Sequence, residues 1–550
     1  MIIVEGHAAT SHDGGIAIYQ NGYITCLAAE RIDHIKHSQD TDKAYKFLRD
    51  RIGWPENEAD DFYRNRPDSE INHPLAHAAS AYYPSPFDHA LVVVVDGQGP
   101  YCANKVVSLS VWIGEGLNLR EVESYPEDGN FCTNSIGHFY SALTYYLGFG
   151  FYEQGKTMGL SAYGMQSALG REMSHLCWFD GQTIRTDAEF IQTVFQEKYG
   201  KIFGREEPIT HSAALKELVS RFGPMHEVGD PFRKSELNFA YAGEAALEDA
   251  LVSLCKHLRS KYGASNLCMA GGVGLNISAN SRIAEEAGFK SVFVQPAAGD
   301  DGQALGRLLY RMHTLFGLPR GPMANAYFGP LYTDSEIKRA AISLSSIASV
   351  TQYPDYRTLN RALASILADG GIAARCFGQS EIGPRALGNR SILADPRRKE
   401  MASALTALKH REQFQPFALS ILREHTQQYF DISDESPYML LSGRANQLAI
   451  ERLPAGIHID NRSRLQTVSR DQNAQYHDLL TAFLGVAGEP ALLNTSFNDK
   501  GMPLVETPLD AAEAFKSMKG IEVLAMGNYL IRRDSVNESV PAPQLPQWRL

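Results

Sequence analysis

The sequence predicts an α/β protein in two parts, with a duplicated nucleotide-binding fold first and a smaller α/β domain after it. Apolar strands that end in glycine loops alternate with helices in two halves, over residues 2–160 and 240–315. This alternation is typical of sheets that bind a ligand at the carboxyl ends of their strands. A stretch rich in Pro and Gly, from Gly317 to about Tyr356, then separates a second region.

The domain boundaries follow from the same patterns. We expect a first domain over residues 1–325, a linker over 326–355 and a second domain over 356–535. Residues 165–235 have the weakest periodicity and are predicted to be an insertion near the substrate. The polar, Pro-rich tail over 536–550 is predicted to be extended or disordered.

Composition excludes several classes of protein. At 550 residues the chain is too long for a single core, and 44% hydrophobic with 21% charged residues is ordinary for a globular enzyme. A net charge of -11 argues against a general nucleic-acid binder. No apolar run is long enough to span a membrane, and Met1–Glu5 does not resemble a secretory signal. Seven scattered cysteines without a CxxC motif predict reduced thiols in a cytoplasmic protein.

Local signals at the N-terminus predict a strand over residues 2–6 followed by a hairpin. Asn21-Gly22 between two alternating apolar runs is the strongest short signal for such a turn. The preceding loop, Ser11–Gly15, has glycines that would let backbone N–H groups approach a phosphate. An ordinary hairpin connection explains the same loop. Residues 41–52 predict an amphipathic helix.

Two histidines and a nearby acid predict a half-open metal site. His73 and His77 are four residues apart and fall on one face of a predicted helix. Read alone, such a pair is more often an ordinary helix pair. Asp96, however, is expected at the carboxyl end of the buried strand Leu91–Val95, where α/β proteins place ligands. Two imidazoles and one carboxylate leave open positions on a divalent metal.

Three further glycine-rich stretches are candidates for binding. Lys156 lies in a predicted turn over 153–164 and can reach a phosphate or carboxylate, although the spacing is not that of a P-loop. A predicted strand enters Gly271-Gly272 ahead of a helix, whose free N–H groups suit a nucleotide. Asp300 and Asp301 precede another helix. Either can cap that helix, and one of them can supply a fourth metal ligand.

The second region contains a cationic loop held by glycine and proline. Arg385 and Arg390 lie in the sequence from Gly383 to Asp395, and Lys409 and Arg411 follow. Rigidly held guanidinium groups grip phosphate or carboxylate by paired N–H donors. Near the end, the strand Ala491–Leu493 runs into amides and hydroxyls that can bind a phosphate or a carbonyl group.

Ten sequence blocks together carry a family resemblance that spans nearly the whole chain. The blocks are Ser11-His12-Asp13, Glu30-Arg31, His73-x3-His77, Val95-Asp96-Gly97, Gly155–Leu160, Ala270–Val273, Gly299–Gly302, Gly383–Ser391, Lys409-x-Arg411-Glu412 and Leu493–Asn498. In this order they resemble the carbamoyltransferase family that includes nodulation protein U and the O-carbamoyltransferases of antibiotic biosynthesis, of the cephamycin and tobramycin type.

The resemblance implies a fold and a reaction. The fold is a duplicated actin/Hsp70-like (ASKHA) N-terminal domain with a YrdC-like α/β C-terminal domain. In relatives, the C-terminal domain makes carbamoyl-AMP from carbamoyl phosphate and ATP. The N-terminal domain then transfers the carbamoyl group to a substrate hydroxyl. We therefore expect an enzyme, an ATP-dependent O-carbamoyltransferase that acts on a small-molecule natural product.

The resemblance also implies roles for individual residues. It makes His12 the general base and Lys156 a second catalytic residue. The remaining roles are metal ligation by His73, His77, Asp96 and Asp300, nucleotide binding by Gly271, Gly272, Asn276 and Asp301, and binding of carbamoyl phosphate and the ATP phosphates by Arg385, Arg390, Lys409, Arg411, Asn494 and Ser496.

The implied cofactor is a divalent metal, with Fe2+ favoured over Zn2+ or Mn2+, and ATP binds with Mg2+. The implied partners are carbamoyl phosphate, ATP and a hydroxylated acceptor, without nucleic acid or a membrane and with room for a homodimer. One departure is Gln415, where relatives usually carry Arg before Pro416. Alternative functions are an N-carbamoyl- or tRNA-modifying transferase with the same two sites, or a non-catalytic regulator. The sequence does not identify the acceptor.

Overall fold

The computed structural model describes residues 2–7, 12–53, 71–102, 104–199 and 213–533. Ser11, residues 200–212 of the predicted insertion and the predicted tail over 536–550 lie outside these residues. The protein has a mixed α/β fold, and its described residues form two compact units. The first unit contains the residues up to 53 and those from 300 to 533, and the second contains 71–299. The predicted domains, which divide the chain elsewhere, stay a prediction.

The first unit begins with a small antiparallel sheet and two helices. Asn21 and Gly22 have φ values of 53° and 89°, and Gln20 pairs with Tyr23. Positive φ at both central residues is what a two-residue hairpin turn requires, so the predicted hairpin is confirmed. The elements are β1 Ile2–His7, β2 Gly15–Gln20, β3 Tyr23–Ala28, α1 Glu30–Asp33 and α2 Thr41–Ile52.

Helix α2 has the bounds that its apolar spacing predicts. The Asp40 side chain caps it by accepting a hydrogen bond from the backbone N–H of Asp42 at 3.1 Å. Its apolar face, which includes Ala44 and Leu48, packs against Ile16 and Leu27 of the hairpin. This packing closes the small core of the N-terminal region.

The second unit is built on one sheet with helices around it. Its elements are α3 His73–Tyr82, β4 His89–Cys102, β5 Lys105–Glu115, β6 Asn118–Ser124, β7 Glu127–Asp128, α4 Ile136–Tyr146, α5 Gln154–Ser161, α6 Leu169–Met173, β8 Cys177–Phe179, β9 Ile184–Thr186, α7 Ala188–Tyr199, α8 Ala213–Phe222, α9 Lys234–Tyr262, β10 Asn266–Ala270, α10 Ile277–Glu286 and β11 Ser291–Val294.

Strand order in this sheet brings distant loops to one edge. The order is β11-β10-β4-β5-β6, with β7 paired to β5. Strands β11, β10 and β4 are parallel, and Met269 pairs with both Val93 and Val294. Because parallel strands end at the same edge, the residues after Val95 and after Ala270 lie side by side there.

Two local predictions in this unit were wrong. Asp96 does not end its strand, because β4 continues to Cys102 after an irregular register between Val95 and Gly99. A bulge of this kind turns the backbone without ending the strand. The predicted glycine-rich turn over 153–164 is largely the helix α5, which packs against α9. Tertiary packing overrides the low helix propensity of its glycines.

The predicted insertion over 165–235 is an ordered part of the second unit where the structure describes it. Strands β8 and β9 form a short antiparallel pair, and β8 lies against α9. Helix α7 packs against α4, and α8 packs against α7. The insertion therefore covers one side of helices α4 and α9.

The rest of the first unit is a large sheet with helices on both faces. Its elements are α11 Gln303–Tyr310, α12 Asp334–Ile342, β12 Ala348–Gln352, α13 Tyr356–Ala368, β13 Ala373–Cys376, β14 Arg390–Ala394, α14 Glu400–Leu408, β15 Ala418–Leu422, α15 Thr426–Tyr429, β16 Phe430–Asp431, β17 Leu441–Ala445, α16 Gln447–Arg452, β18 Arg462–Val468, α17 Ala474–Ala487, β19 Ala491–Ser496, α18 Pro508–Ser517, β20 Val523–Met526 and β21 Tyr529–Arg533. The strand order is β12-β21-β20-β13-β14-β19-β15-β18-β17-β16.

The two faces of this sheet bury separate cores. Successive residues alternate between them, so Leu493 belongs to one core and Leu492 to the other, as the two-residue period of a strand requires. Helices α13 and α17 cover the face of Leu492, and α12, α14 and α18 cover the opposite face. Such burial on both faces explains the nearly continuous apolar runs of the central strands.

The predicted linker over 326–355 is not a bare connection. It contains α12 and β12, and β12 pairs with β21 at the edge of the large sheet. Among the helices that the structure describes, none has both the length and the apolar composition needed to cross a membrane.

Candidate metal centre and anion site

Helix α3 carries the two predicted histidine ligands in the second unit. The Asn72 side chain caps this helix by accepting from the backbone N–H of Leu75 at 2.9 Å, and Pro74 occupies its first turn. His73 and His77 are then one turn apart, with 4% and 0% of their surfaces exposed. Burial keeps both imidazoles in a defined orientation.

The two imidazoles and the carboxylate of Asp96 point at one place. The Nε2 atom of His73 lies 3.0 Å from Asp96 Oδ2 and 3.1 Å from His77 Nε2. The third side, from His77 Nε2 to Asp96 Oδ2, is 3.5 Å. Ligands about 2.1 Å from one metal ion are separated by roughly 3.0 Å at a right angle and roughly 3.4 Å at a tetrahedral angle. The three residues therefore fit a divalent metal and leave further positions open.

Backbone groups hold Asp96 in place. Its Oδ1 atom accepts from the N–H groups of Gly97 at 2.8 Å and Gly272 at 3.0 Å, so Oδ2 alone faces the histidines. Burial acts to raise the pKa of Asp96, but the hydrogen bonds and charges of His73 and His77 outweigh it and lower the pKa well below its usual value. The carboxylate is thus ionised, as a metal ligand must be.

Glycines allow these groups to come so close. A Cβ on Gly99 would lie 2.0 Å from the ring of His73, and a Cβ on Gly271 would lie 2.2 Å from the carbonyl oxygen of Val95. Gly271 also has a φ of +89°, which side-chain-bearing residues rarely adopt. The predicted strand-to-glycine loop therefore serves the close approach of backbone to the site.

Asp300 and His12 belong to the first unit, where they face each other. His12 Nε2 lies 3.8 Å from Asp300 Oδ2, and its Nδ1 lies 2.8 Å from Asp13 Oδ2. Burial raises the pKa of Asp301 to about 8, and the charges of Asp13 and Glu30 add to this shift. Roles for Asp300 as a fourth ligand, for His12 as a base and for Asp301 at the nucleotide stay predictions.

Lys156 and Asn276 already have partners inside the second unit. Lys156 Nζ lies 2.6 Å from Glu153 Oε1. The Asn276 side chain caps α10 by accepting from Ala279 at 2.9 Å, and it donates to Glu244 at 2.8 Å. The catalytic and nucleotide roles of these two residues stay predictions.

Three arginines concentrate positive charge in the first unit. Arg385 follows β13, Arg411 follows α14, and Arg464 lies on β18. Burial lowers the pKa of Arg385 to about 10, and the charge of Arg411 adds to the shift. Burial also lowers the pKa of Arg464 well below its usual value, and Arg385 and Arg411 lower it further. Like charges that are half-buried and oppose one another in this way suit an anionic ligand.

From the sequence, Arg464 was not predicted as an anion ligand, although its neighbours Arg385 and Arg411 were. Its Nε atom is buried and makes no hydrogen bond to any residue that the structure describes. The alternation Arg462-Ser463-Arg464-Leu465 could have indicated this residue, because it puts two cations on one face of a strand. The strand order β19-β15-β18 is what brings that face towards the predicted cationic loop that contains Arg385.

Gln415 hydrogen-bonds Arg411 of the arginine cluster. Its Oε1 atom accepts from Arg411 Nε at 3.0 Å and from Nη2 at 2.5 Å, and its amide donates to Glu412 at 2.5 Å. Another arginine here would add a fourth like charge. The amide instead orients Arg411 through two of its donors.

Lys409 holds the turn that follows β19. Its Nζ atom donates to the Ser496 carbonyl oxygen at 2.9 Å, to Asn498 Oδ1 at 2.7 Å and to the Asn498 carbonyl oxygen. Burial lowers the pKa of Lys409 to about 7, and Arg411 adds to this shift. Ser496 Oγ donates to the same Asn498 Oδ1 at 2.6 Å.

Two of the predicted phosphate ligands point into the protein. Arg390 is fully buried, and it donates to the carbonyl oxygens of Phe377 at 2.7 Å, Gly378 at 3.2 Å and Glu506 at 3.0 Å. Asn494 is 1% exposed and donates to Ser420 Oγ at 2.9 Å. Because these contacts use their donors inside the core, we leave both residues out of the anion site proposed below.

Glu381 is a second residue that sequence reasoning missed. It is 1% exposed, and its Oε1 atom accepts from the backbone N–H groups of Leu387 at 2.7 Å, Asn389 at 2.9 Å and Arg390 at 3.1 Å. This carboxylate therefore closes the loop that presents Arg385. No local pattern marks it, since its partners are set by the path of the loop.

Comparisons with known proteins show which family the chain belongs to. Residues 63–309 match the family model described as Carbamoyltransferase N-terminus, and residues 364–533 match Carbamoyltransferase C-terminus. Nodulation protein NolO of Bradyrhizobium diazoefficiens is 31% identical over 84% of this chain and 79% of its own length. The chain belongs to the carbamoyltransferase family.

Other relatives of this carbamoyltransferase include an uncharacterized protein of Synechocystis, 34% identical over 84% of this chain and 75% of that protein. Nodulation protein U of Sinorhizobium fredii is 29% identical over 82% of this chain and 75% of its own length. The match to the family makes the protein a transferase enzyme.

Solved structures are more distant from this carbamoyltransferase. The activator of 2-hydroxyisocaproyl-CoA dehydratase from Clostridium difficile, with bound ADPNP, covers 56% of this chain and 94% of its own at 14% identity and a TM-score of 0.32. Full-length HypF in the phosphate- and nucleotide-bound form covers 56% of each chain at 12% identity and a TM-score of 0.30. Scores this low carry no argument about function.

Proposed function

We propose that this carbamoyltransferase is an ATP-dependent O-carbamoyltransferase that works in two steps at two stations. The first step makes carbamoyl-AMP from carbamoyl phosphate and ATP in a YrdC-like region around Arg385. The second transfers the carbamoyl group to a hydroxyl of a small-molecule natural product in an actin/Hsp70-like region around His73. The observation that supports the proposal is the presence in one chain of a half-buried cationic cluster and of a set of residues that could hold a metal ion.

In the first step, the cationic cluster would bind substrates that are all anions. Water releases inorganic phosphate from carbamoyl phosphate and leaves carbamate. A carbamate oxygen then attacks the α-phosphorus of ATP, and pyrophosphate leaves. Arg385, Arg411 and Arg464 would hold the charged groups of these substrates and balance the charge that develops on the departing pyrophosphate. Gln415 would keep Arg411 oriented for that task.

In the second step, His73, His77, Asp96 and Asp300 would hold a divalent metal, with Fe2+ as the proposed ion. A bound metal would supply Lewis acidity that polarises a carbonyl oxygen. The acceptor oxygen forms a bond to the carbamoyl carbon, the bond from that carbon to the AMP oxygen breaks, and AMP departs. His12 would take the hydroxyl proton at one of its ring nitrogens and so act as the general base.

Pyrophosphate release tests the first step. Purified protein with ATP and Mg2+ should release pyrophosphate only when carbamoyl phosphate is added, and Arg385→Ala should reduce the rate by at least tenfold. Arg357→Ala is the matched control, because Arg357 lies on the same unit with 65% of its side chain exposed. Absence of carbamoyl-phosphate-dependent release would overturn the adenylate step.

Separation of the half-reactions tests the division into two stations. We expect His73→Ala to abolish carbamoylation of an acceptor, detected by mass spectrometry, while pyrophosphate release continues. Arg385→Ala should lose release, yet it should still transfer carbamoyl from chemically prepared carbamoyl-AMP. If both variants lost both half-reactions equally, the two-station division would be wrong.

A further inference from the structure

His138 is a residue of the second unit that the proposed chemistry does not use. It lies in the first turn of α4, where Ser135 caps the helix by accepting from the His138 N–H at 3.1 Å. The Ser135 hydroxyl in turn approaches the carbonyl oxygens of Gly97 at 2.5 Å and Asp96 at 3.3 Å. The helix end that carries His138 is therefore fixed to the backbone that carries the metal ligand Asp96.

Two glycines make this contact possible. A Cβ on Gly137 would lie 2.7 Å from the Asp96 carbonyl oxygen and from Gly97. A Cβ on Gly97 would lie 3.5 Å from both Nε2 and Cδ2 of the His138 ring. The strand after Asp96 thus passes directly beside the imidazole, and the missing side chain of Gly97 leaves space next to Nε2.

The protonation of His138 follows from its partners. Its Nδ1 atom lies 2.8 Å from the carbonyl oxygen of Cys132, which can only accept, so Nδ1 carries the proton. Burial lowers the pKa of His138, against the opposing effects of the Cys132 hydrogen bond and of the Asp96 and Glu127 charges. A neutral ring with Nδ1–H presents a lone pair at Nε2. No described residue donates a hydrogen bond to that atom.

Aromatic rings extend from His138 towards the surface. Phe131 stacks on the imidazole with ring centroids 4.6 Å apart and planes 10° from parallel. Phe195 lies 5.4 Å from His138 and 5.1 Å from Tyr145, and Tyr145 lies 5.4 Å from Phe151, which is 45% exposed. The aromatic rings of Phe131, Phe195, Tyr145 and Phe151 therefore form one connected apolar cluster beside His138.

Gln98 holds the loop that carries Phe131. Its side chain accepts from the Cys132 N–H at 2.8 Å and donates to the Asn130 carbonyl oxygen at 3.1 Å. Gln98 is two residues beyond Asp96 on the same strand. The stacked ring and the metal ligand are therefore positioned by one stretch of backbone, which is how a binding site is pre-organised.

We propose that His138 Nε2 and the ring of Phe131 form a subsite for the carbamoyl acceptor in the second unit. This inference rests on the proposed O-carbamoyltransferase function and assigns the chemistry of its acceptor. The occupant is a neutral ring compound that donates a hydroxyl hydrogen to Nε2 and lays a C–H face on Phe131. An anionic group is disfavoured there, because the lone pair of Nε2 and the nearby charges of Asp96 and Glu127 repel it.

Ligand-observed binding tests the subsite without requiring turnover. The full-length protein is examined by saturation-transfer NMR with three probes: methyl α-D-glucopyranoside, methyl α-L-fucopyranoside and myo-inositol. We expect at least one probe to bind, with His138→Leu weakening it about tenfold, the usual effect of one lost hydrogen bond. His138→Gln, whose amide oxygen can still accept, should weaken it less.

A matched control and a separate activity readout keep the interpretation clear. His175→Leu removes an exposed histidine of the same unit and should leave probe binding unchanged. Pyrophosphate release with carbamoyl phosphate should be unaffected in all three variants, and an unchanged melting temperature should show that the second unit remains folded. The subsite is overturned if no probe binds the wild-type protein, or if His138→Leu binds as well as His175→Leu. Failure of the proposed function appears separately, as absence of pyrophosphate release in the wild-type protein.

Discussion

Glu381→Gln is the perturbation that tests most directly how the cationic loop is held. Glu381 Oε1 accepts from the backbone N–H groups of Leu387, Asn389 and Arg390, and the side chain is 1% exposed. Glutamine keeps a carbonyl oxygen in the same place and removes the negative charge. The substitution therefore weakens three hydrogen bonds without opening a cavity.

The expected loss can be worked from those bonds. A hydrogen bond to a charged group contributes about 1.5–3 kcal/mol, against about 1 kcal/mol for a neutral pair. Losing roughly 1 kcal/mol at each of the three bonds destabilises the closed loop by about 3 kcal/mol. Local opening then becomes easier by a factor of about 100, since 1.4 kcal/mol is tenfold.

Amide hydrogen exchange followed by mass spectrometry measures that opening. Peptides covering residues 383–394 should exchange about 100-fold faster in Glu381→Gln. Glu424→Gln is the matched control, because Glu424 is 51% exposed and bonds His477 at 2.9 Å, an interaction that contributes about 0–1 kcal/mol. Exchange of the loop within threefold of wild type would refute the idea that this carboxylate holds it.

Three further outcomes are expected. Asp96→Asn should lose tight binding of one divalent metal in titration calorimetry, while Glu123→Gln, which changes a carboxylate away from the site, should keep it. Arg464→Met should weaken sulfate binding about tenfold yet raise the melting temperature, because it removes a half-buried charge that two arginines oppose. Sulfate affinity should rise as the pH falls through about 7, which is the lowered pKa of Lys409, because the protonated amine favours an anion. If Lys409→Met kept the same pH dependence of sulfate affinity as the wild-type protein, this assignment would be contradicted.

Sequence reasoning succeeded where the controlling interactions are local. The Asn21-Gly22 turn and the bounds of α2 depend on residues within a few positions of one another. Such interactions carry a pattern that can be read along the chain. The histidine pair belongs to this class, because helix geometry alone puts positions 73 and 77 on one face.

Long-range packing decided which partners the predicted polar residues meet. Lys409 meets Asn498 across 89 positions and Arg390 meets the Glu506 carbonyl oxygen across 116, so no local pattern shows that their donors are used inside the protein. The same holds for Arg464, whose face depends on the order of strands in the large sheet.

The sequence by itself determined the Asn21-Gly22 turn, the helix α2, the histidine pair on one face of α3, and the family. Tertiary structure alone decided that β4 runs on past Asp96 and that the glycines near Lys156 form a helix. It also placed His138 beside the strand that carries Asp96. The physical reason is that propensity and periodicity act over one or two turns of chain, whereas burial, charge and hydrogen-bond partners depend on which distant segments pack together.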